Sequence, residues 1–145
     1  MSRDREVAVS EESFITQSEA VTRGVRVRVR ARYAAEHSEP QKPLWFFLYT
    51  ITISNESADT VRLLNRHWVI TDAHGETEQV RGPGVVGEQP VLEPGQSFEY
   101  TSGCPLSTEF GSMHGSYDMV VVASGEHFDV EVAGFALRKS PAQVN

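Results

Sequence analysis

The stretch VRVRVRAR, residues 25–32, alternates apolar and charged side chains without a break. Successive side chains of a β-strand point to opposite faces, so Val25, Val27, Val29 and Ala31 share one face and four arginines share the other. A period of two residues, rather than the 3.6 of a helix, predicts a half-buried strand. We therefore expect a sheet with one face in a core and the other in solvent.

Five further segments carry the same period, and turn residues separate them. Another segment, TVRLLNRHWVIT, changes phase between Leu63 and Trp68, which predicts a β-bulge near Leu63–Leu64. Short strands with frequent turns predict an all-β fold, an immunoglobulin- or fibronectin III-like β-sandwich of about seven or eight antiparallel strands in two sheets. The five segments are WFFLYTITIS, TEQVR, SFEYTS, YDMVVVAS and HFDVEVAGF, and turns are expected at 55–57, 72–75, 94–95, 111–115 and 124–125.

The length of 145 residues suits one domain. Residues 1–20 are polar and aperiodic, which predicts an N-terminal tail or a loosely docked segment. The sandwich is expected over residues 21–138, and residues 139–145 are expected to form a C-terminal tail.

The net charge of the chain is −7 at pH 7. Nucleic acids and acidic membranes attract basic proteins, so neither is expected as a partner. The one cysteine, Cys104, cannot form an internal disulfide, and the N-terminal residues lack the apolar run of a secretory signal. No apolar run approaches the roughly 20 residues of a membrane span. We expect a cytoplasmic protein.

Residues 82–87 read GPGVVG, the spacing that supports a dinucleotide's pyrophosphate when a helix follows the last glycine. Pro90 and Pro94 exclude that helix, so a Rossmann site is not expected. The favoured interpretation is that these glycines serve loop geometry between strands, with Val85 and Val86 tucked onto the sandwich. The alternative is that backbone N–H groups of the loop form a concave anion site.

The anion-site hypothesis adds positive charge from outside the loop. Arg81 directly precedes it, and Arg62 or Arg66 on a neighbouring strand would contribute further charge. His67 either forms one wall of such a site or lies on a sheet surface, the interpretation that we favour. The candidate binding residues for an anion or nucleotide are Arg81, Gly82, Gly84, Val85, Val86, Gly87, Arg66 and His67.

Four blocks follow one another along the chain: RHW, GVVGEQP, PG and G-x-M-x-G-x-Y. In this order and spacing they resemble the ApaG family, from about Val21 to Leu137. The resemblance implies a fibronectin III-like β-sandwich of bacterial origin. Related eukaryotic domains, fused to F-box and DNA-polymerase-interacting proteins, look like protein-interaction modules.

The resemblance also implies functional links without supplying a reaction. The bacterial family is linked by name and genetic context to a diadenosine tetraphosphatase, to cobalt resistance and to magnesium efflux. Its glycine signature, which falls here on Gly82, Gly84 and Gly87, implies a nucleotide or pyrophosphate ligand.

The arginine row at 26, 28, 30 and 32 has a same-face spacing of about 6.6 Å, near the repeat of an extended phosphodiester chain. No aromatic residues interleave with the row, so nucleic-acid stacking is not favoured. We expect Asp129 and Glu131 on an adjacent strand to neutralise the arginines, or the row to protect an edge strand from aggregation.

No signature of catalysis or metal binding is present. The five histidines form no H-x-x-x-H or H-E-x-x-H pair, and the chain has no C-x-x-C and no G-x-S-x-G. We therefore expect no catalytic residue, no metal site and no cofactor. The predicted function is a non-catalytic binding or interaction module with a protein partner, or a homodimer formed through a sheet edge. The alternative is a nucleotide- or pyrophosphate-binding protein that uses residues 82–87 for a weak nucleotide or phosphate ligand, as a sensor of diadenosine polyphosphates.

Overall fold

A computed structural model describes residues 14–141. This part of the chain forms nine β-strands and one short 3-10 helix over Ala35–His37. The strands are β1 (Thr16–Thr22), β2 (Val25–Tyr33), β3 (Trp45–Asn55), β4 (Val61–Asp72), β5 (Thr77–Pro83), β6 (Val91–Leu92), β7 (Ser97–Leu106), β8 (Gly111–Val121) and β9 (His127–Leu137).

The strands form two antiparallel sheets, and the predicted all-β sandwich is confirmed. One sheet has the order β1-β2-β3-β7, and we call it the first sheet. The second sheet has the order β5-β4-β8-β9, with β6 also paired to β4. The strand number exceeds the expected seven or eight because β1 lies in the segment predicted to be outside the domain and β6 has only two residues.

The core lies between the sheets and is filled by the predicted apolar faces. Val25, Val27 and Val29 of β2 are at most 1% exposed, and Ile51 and Ile53 of β3 are fully buried. Burying each aliphatic side chain contributes about 1.5–3 kcal/mol, so the two-residue period of these strands is the main source of the fold's stability.

The predicted bulge is present, and one predicted turn is wrong. The register of β4 against β8 shifts between Leu63 and Asn65. Residues 111–115, expected to be a turn, open β8 instead. A Cβ atom at Gly115 would lie 2.1 Å from the His67 carbonyl oxygen, so this glycine permits close strand packing rather than a turn.

The arginine row is neutralised, but not by the predicted partners. Asp129 and Glu131 lie on β9 in the second sheet, whereas the row lies on β2 in the first. β2 is also an interior strand, not an edge. The observed ion pairs join Arg26 to Glu19 and Glu56, Arg28 to Glu19, Arg30 to Glu99 and Arg32 to Glu36. The alternating sequence predicted the face on which each arginine lies, but it did not predict which strand lies beside β2.

The N-terminal part of the sandwich begins earlier than predicted. Strand β1 begins at Thr16 and pairs with β2 along its whole length, so residues 16–20 belong to the sheet. Residues 1–13 and 142–145 of the two predicted tails lie outside the described residues. Within residues 14–141, no helix has the length and hydropathy needed to cross a membrane.

One lateral side of the sandwich is closed where β1 lies against β9. Thr16 Oγ1 donates to the Ala136 carbonyl at 2.5 Å, and Ser18 Oγ donates to the Ala133 carbonyl at 2.9 Å. The N–H of Glu131 donates to Thr22 Oγ1 at 3.1 Å. The opposite side is bounded by the terminal strands β5 and β7, and no hydrogen bond between described residues joins them. We call this side the open side.

Candidate binding cleft under the glycine hairpin

The glycine segment is a loop at the edge of the second sheet, between β5 and β6. Both β5 and β6 pair with β4, on either side of the bulge at Leu63–Asn65. The bulge turns the Leu64 carbonyl toward this loop. The carbonyl oxygen accepts hydrogen bonds from the Gly84 N–H at 2.8 Å and from Gln89 Nε2 at 2.9 Å. The bulge therefore fixes both ends of the loop that we call the glycine hairpin, residues 84–89.

The tip of the glycine hairpin is a two-residue β-turn. The N–H of Val85 donates to the Glu88 carbonyl and the N–H of Glu88 donates to the Val85 carbonyl, each at 2.8 Å. Val86 and Gly87 at the tip have φ angles of 42° and 81°. Two positive φ values are typical of a type I′ turn. Val85 is buried in the core, as predicted, whereas Val86 is 53% exposed at the tip, contrary to the prediction.

A different structural feature explains why each of the three positions carries glycine. Gly82 packs against the Arg66 guanidinium, and a Cβ there would lie 2.9 Å from Arg66 Nη2. Gly84 has φ of 61°, and a Cβ there would lie 2.3 Å from the Glu88 carbonyl oxygen. Gly87 has open space around it but a φ of 81°, which β-carbon-bearing residues rarely adopt. The geometry therefore accounts for the G-x-G-x-x-G spacing without a bound phosphate.

Arg66 holds the base of the glycine hairpin from strand β4. Its Nη1 donates to the Pro83 carbonyl at 2.9 Å and to the Gly84 carbonyl at 3.0 Å. The residue is half-buried, and none of the ion pairs among the described residues includes it. Carbonyl oxygens therefore accept from its Nη1, and no carboxylate among the described residues pairs with its positive charge.

A cleft of about 220 Å³ lies on the open side beneath the tip of the glycine hairpin. Its walls combine aromatic rings, hydroxyl groups and one guanidinium. The lining residues are Tyr49, Arg66, Trp68, Val85, Val86, Gly87, Tyr100 and Ser102. They come from both sheets, so the cleft exists only because β7 and β4 meet across the core.

Two phenols at the cleft share one hydrogen bond. The hydroxyl oxygens of Tyr100 and Tyr117 are 2.5 Å apart, and Tyr117 is fully buried. If Tyr100 donated, the proton of Tyr117 would have no acceptor, at a cost of about 1–3 kcal/mol. Tyr117 therefore donates to Tyr100, which leaves the Tyr100 proton without an acceptor among the described residues, and Tyr100 lines the cleft. Burial raises the pKa of both phenols well above 10, so both keep their protons at neutral pH.

The structure divides the predicted site residues into two groups. Arg66, Val85, Val86 and Gly87 line the cleft, and the buried Gly84 is not among its lining residues. His67, Arg81 and Gly82 instead line a groove of about 540 Å³ on the outer face of the second sheet. Arg66 borders both.

The outer groove is a polar surface held by side-chain hydrogen bonds. Gln79 Oε1 lies 2.8 Å from His67 Nε2 and accepts from Arg81 Nη2 at 3.4 Å. On its far side, Asp118 accepts from Asn65 at 2.8 Å and lies 3.0 Å from His127 Nδ1. Partial burial acts to raise the pKa of Asp118, but the hydrogen bonds from His127 and Asn65 outweigh it and leave that pKa lowered. His67 thus has a surface hydrogen-bond partner and also lines the groove beside Arg81 and Gly82.

Four cleft residues were missed from the sequence: Tyr49, Trp68, Tyr100 and Ser102. Alternation places Tyr49 and Tyr100 on inward faces, but inward-facing aromatic residues usually fill a core. Nothing in the sequence shows that β7 lies opposite the glycine hairpin. Their role as cleft walls depends on that pairing of distant segments.

The loop has few backbone donors left for an anion. Pro83 has no N–H, and the N–H groups of Gly84 and Val85 are used within the fold. Within residues 82–87, the N–H groups of Val86 and Gly87 make no hydrogen bond to another described residue. Within residues 14–141, no group of three or more His, Cys, Asp or Glu side chains is placed to hold a metal ion.

The fold and the cleft define a class: a two-sheet β-sandwich with one closed side, one open side and a glycine hairpin over the open side. The model of the ApaG domain matches residues 35–121, and the chain belongs to the ApaG family. Protein ApaG from Rhodospirillum centenum is 55% identical over 117 residues, covering 81% of this chain and 89% of that protein.

Two further comparisons agree. Protein ApaG from a Bradyrhizobium species is 55% identical over 118 residues, covering 81% of this chain and 90% of that protein. The crystal structure of a Bordetella pertussis protein superposes with a TM-score of 0.78 at 43% identity, covering 81% of this chain and 95% of that chain. The sandwich is therefore similar to an experimentally determined fold over most of its length.

Proposed function

We propose that this protein is a non-catalytic interaction module that binds a protein partner along its open side. The observation that carries the proposal is the asymmetry of the sandwich. Hydrogen bonds join β1 to β9 on one side, whereas β5 and β7 end their sheets on the other side without a hydrogen bond between them in the described chain. Terminal strands present unpaired backbone donors and acceptors, which an added strand pairs with.

The geometry also supports a preference for an extended partner. β5 has seven residues and β7 has ten, long enough to template a partner strand. A second copy of the chain offers the same two edges, so a homodimer through β5 or β7 is the symmetric form of the same interaction.

Site-specific photo-crosslinking tests this proposal in cells. A benzophenone side chain replaces Glu78 on β5 or Thr101 on β7, both exposed positions at the open side. Matched controls carry it at Gln17 on β1 or Asp129 on β9, which are exposed at the closed side. We expect crosslinked species, either to a partner or to a second copy, from Glu78 and Thr101 only. Crosslinks from Gln17 and Asp129 alone, or from none of the four, would overturn the proposal.

The family resemblance implies links to cobalt resistance and magnesium efflux. We propose that these links arise through a cytoplasmic protein partner that binds at the open side. Calorimetric titration of the purified protein with Co²⁺ and Mg²⁺ checks this, and heat of binding to the isolated chain would contradict it.

The second candidate function is binding of a nucleotide or pyrophosphate at the glycine hairpin. The free N–H groups of Val86 and Gly87, with Arg66 and Arg81 nearby in sequence or space, favour it. Amide NMR during titration with diadenosine tetraphosphate and ATP, with and without Mg²⁺, tests it. Unchanged signals of residues 82–87 at millimolar ligand would eliminate this function.

A further inference from the structure

We infer that the cleft under the glycine hairpin is a binding site for a single carboxylate group. This rests on the proposed function for its setting on the open side, and it adds the chemistry that the cleft recognises. The recognising groups are the side chains of Arg66 and Tyr100, not the backbone of the glycine loop.

The first support is the unpaired charge of Arg66. A half-buried guanidinium without a carboxylate partner in residues 14–141 is incompletely compensated, because carbonyl groups occupy only its Nη1. Arg66 lines the cleft together with Tyr49 and Tyr100. Burial raises the pKa of both phenols, and the charge of Arg66 acts in the opposite direction. An anion in the cleft completes the pairing.

The second support is the proton of Tyr100. Tyr100 is 7% exposed, and its hydroxyl has Tyr117 as its one hydrogen-bond partner among the described residues. Because Tyr117 donates, the Tyr100 proton needs an acceptor, and the cleft is the space that Tyr100 lines. One fixed cation and one hydroxyl donor match a carboxylate, which carries one charge and accepts from both.

The size of the cleft limits the ligand. Pockets for drug-sized ligands usually have volumes of about 300–1,000 Å³, so a cleft of about 220 Å³ suits a compact group rather than a whole nucleotide. The carboxylate comes either from a free small acid or from an acidic side chain of the protein partner. Trp68 and Tyr49 supply an apolar floor for the carbon atoms that carry it.

NMR titration of the purified chain with sodium acetate, and separately with sodium phosphate, tests the site. We expect saturable shifts of the Tyr100 ring, the Arg66 Nε–Hε and the amides of Val86 and Gly87 with acetate. Shifts with phosphate alone, or with neither anion, would overturn the inference. These outcomes leave the crosslinking result untouched, so the failure of one proposal is distinguishable from the failure of the other.

Two matched variants identify the recognising hydroxyl. Tyr100→Phe removes the hydroxyl of the cleft-lining residue and should weaken acetate binding about tenfold, whereas Tyr117→Phe should leave it within about twofold. Equal effects of the two substitutions would overturn the assignment. Far-UV circular dichroism confirms folding of each variant, and Arg66→Gln compared with Arg81→Gln provides a second matched pair if Tyr100→Phe does not fold. Arg66→Gln should abolish binding and Arg81→Gln should not.

A peptide comparison distinguishes the two sources. The extended tripeptide acetyl-Val-Glu-Val-amide is titrated beside its Gln counterpart. Binding of the Glu peptide at least about tenfold tighter than acetate assigns the carboxylate to a protein partner, and affinity equal to acetate assigns it to a free acid. Equal binding of the Glu and Gln peptides would overturn the carboxylate specificity.

Discussion

The hydroxyl oxygens of Tyr100 on β7 and Tyr117 on β8 lie 2.5 Å apart and join the two sheets through the core. Both phenols are at most 7% exposed. The bond places a polar pair inside an apolar cluster that includes Trp68, whose ring meets Tyr117 edge-on at 6.2 Å. It ties the wall of the cleft to the centre of the sandwich.

Substitution of the two tyrosines by phenylalanine should lower the free energy of unfolding by different amounts. Tyr100→Phe leaves the buried Tyr117 donor without an acceptor, so the free energy of unfolding should fall by about 1–3 kcal/mol. Tyr117→Phe leaves Tyr100 with access to the cleft and should cost about 0.5–1.5 kcal/mol. The double variant should cost less than the sum of the two. Urea denaturation measures all three, with Tyr33→Phe as a control outside the cleft, and additive effects would contradict the shared hydrogen bond.

Alanine substitutions should rank the glycines by geometry. Gly84→Ala should destabilise most, because its Cβ would meet the Glu88 carbonyl at 2.3 Å in addition to the positive φ. Gly87→Ala carries only the conformational strain of about 1–2 kcal/mol. Gly75→Ala, also with positive φ and open space, is the matched control for Gly87. Thermal unfolding measures the order, and a greater effect at Gly87 than at Gly84 would contradict the structure.

Val86→Asn should stabilise the protein. Val86 has φ of 42° at the first central position of the type I′ turn, where a β-branched residue is strained and Asn before Gly is strongly preferred. The gain should be about 1 kcal/mol in the free energy of unfolding. Val91→Asn, at a similarly exposed valine on β6, is the control and should give no gain. Equal or lower stability of Val86→Asn would show that the turn conformation is wrong.

Cys104 should be inert in the folded protein. The side chain is buried, and burial raises the pKa of its thiol from 9.0 to about 12. That difference of about three pH units lowers the thiolate fraction at pH 8 about a thousandfold. The rate of labelling by a thiol reagent should therefore be negligible in buffer and rapid in denaturing urea. Fast labelling without urea would contradict this placement.

The free energy of unfolding at acid pH should depend on Arg26. Its guanidinium donates to Glu19 and Glu56 and holds the pKa of both carboxyls below their ordinary value of 4.5. A lowered folded-state pKa contributes stability that is complete above pH 4.5 and is lost as pH falls through the folded-state value.

Unfolding free energy should therefore decline below about pH 4.5, and Arg26→Gln should flatten that decline. Arg62→Gln is the control, because Arg62 donates to Gln89 rather than to a carboxylate. Denaturation at a series of pH values measures both slopes. The same slope in Arg26→Gln and the wild type would sink this prediction.

Local patterns predicted the elements well. The alternation in residues 25–32 placed Val25, Val27 and Val29 in the core, and the phase change in TVRLLNRHWVIT located the bulge at Leu63–Asn65. Both signals depend only on the two-residue period of a strand, which neighbouring residues determine without knowledge of the rest of the fold.

Relations between distant strands were not predictable in the same way. Asp129 and Glu131 have the right charge to pair with the arginine row, but strand order puts them in the other sheet. The cleft needs Tyr100 opposite Arg66, although 34 positions separate them in the sequence. The period of a strand shows which side chains face inward but not which strands meet. Three of the eight predicted site residues, His67, Arg81 and Gly82, therefore lie on the outer groove rather than in the cleft.

Hydrogen exchange of the crosslinked complex, compared with the free chain, tests the open side most directly. The amides of β5 and β7 should exchange more slowly in the complex because a partner strand would pair with them, while β1 and β9 should exchange at unchanged rates. Slower exchange at β1 and β9 with no change at β5 and β7 would contradict the assignment of the open side as the binding surface.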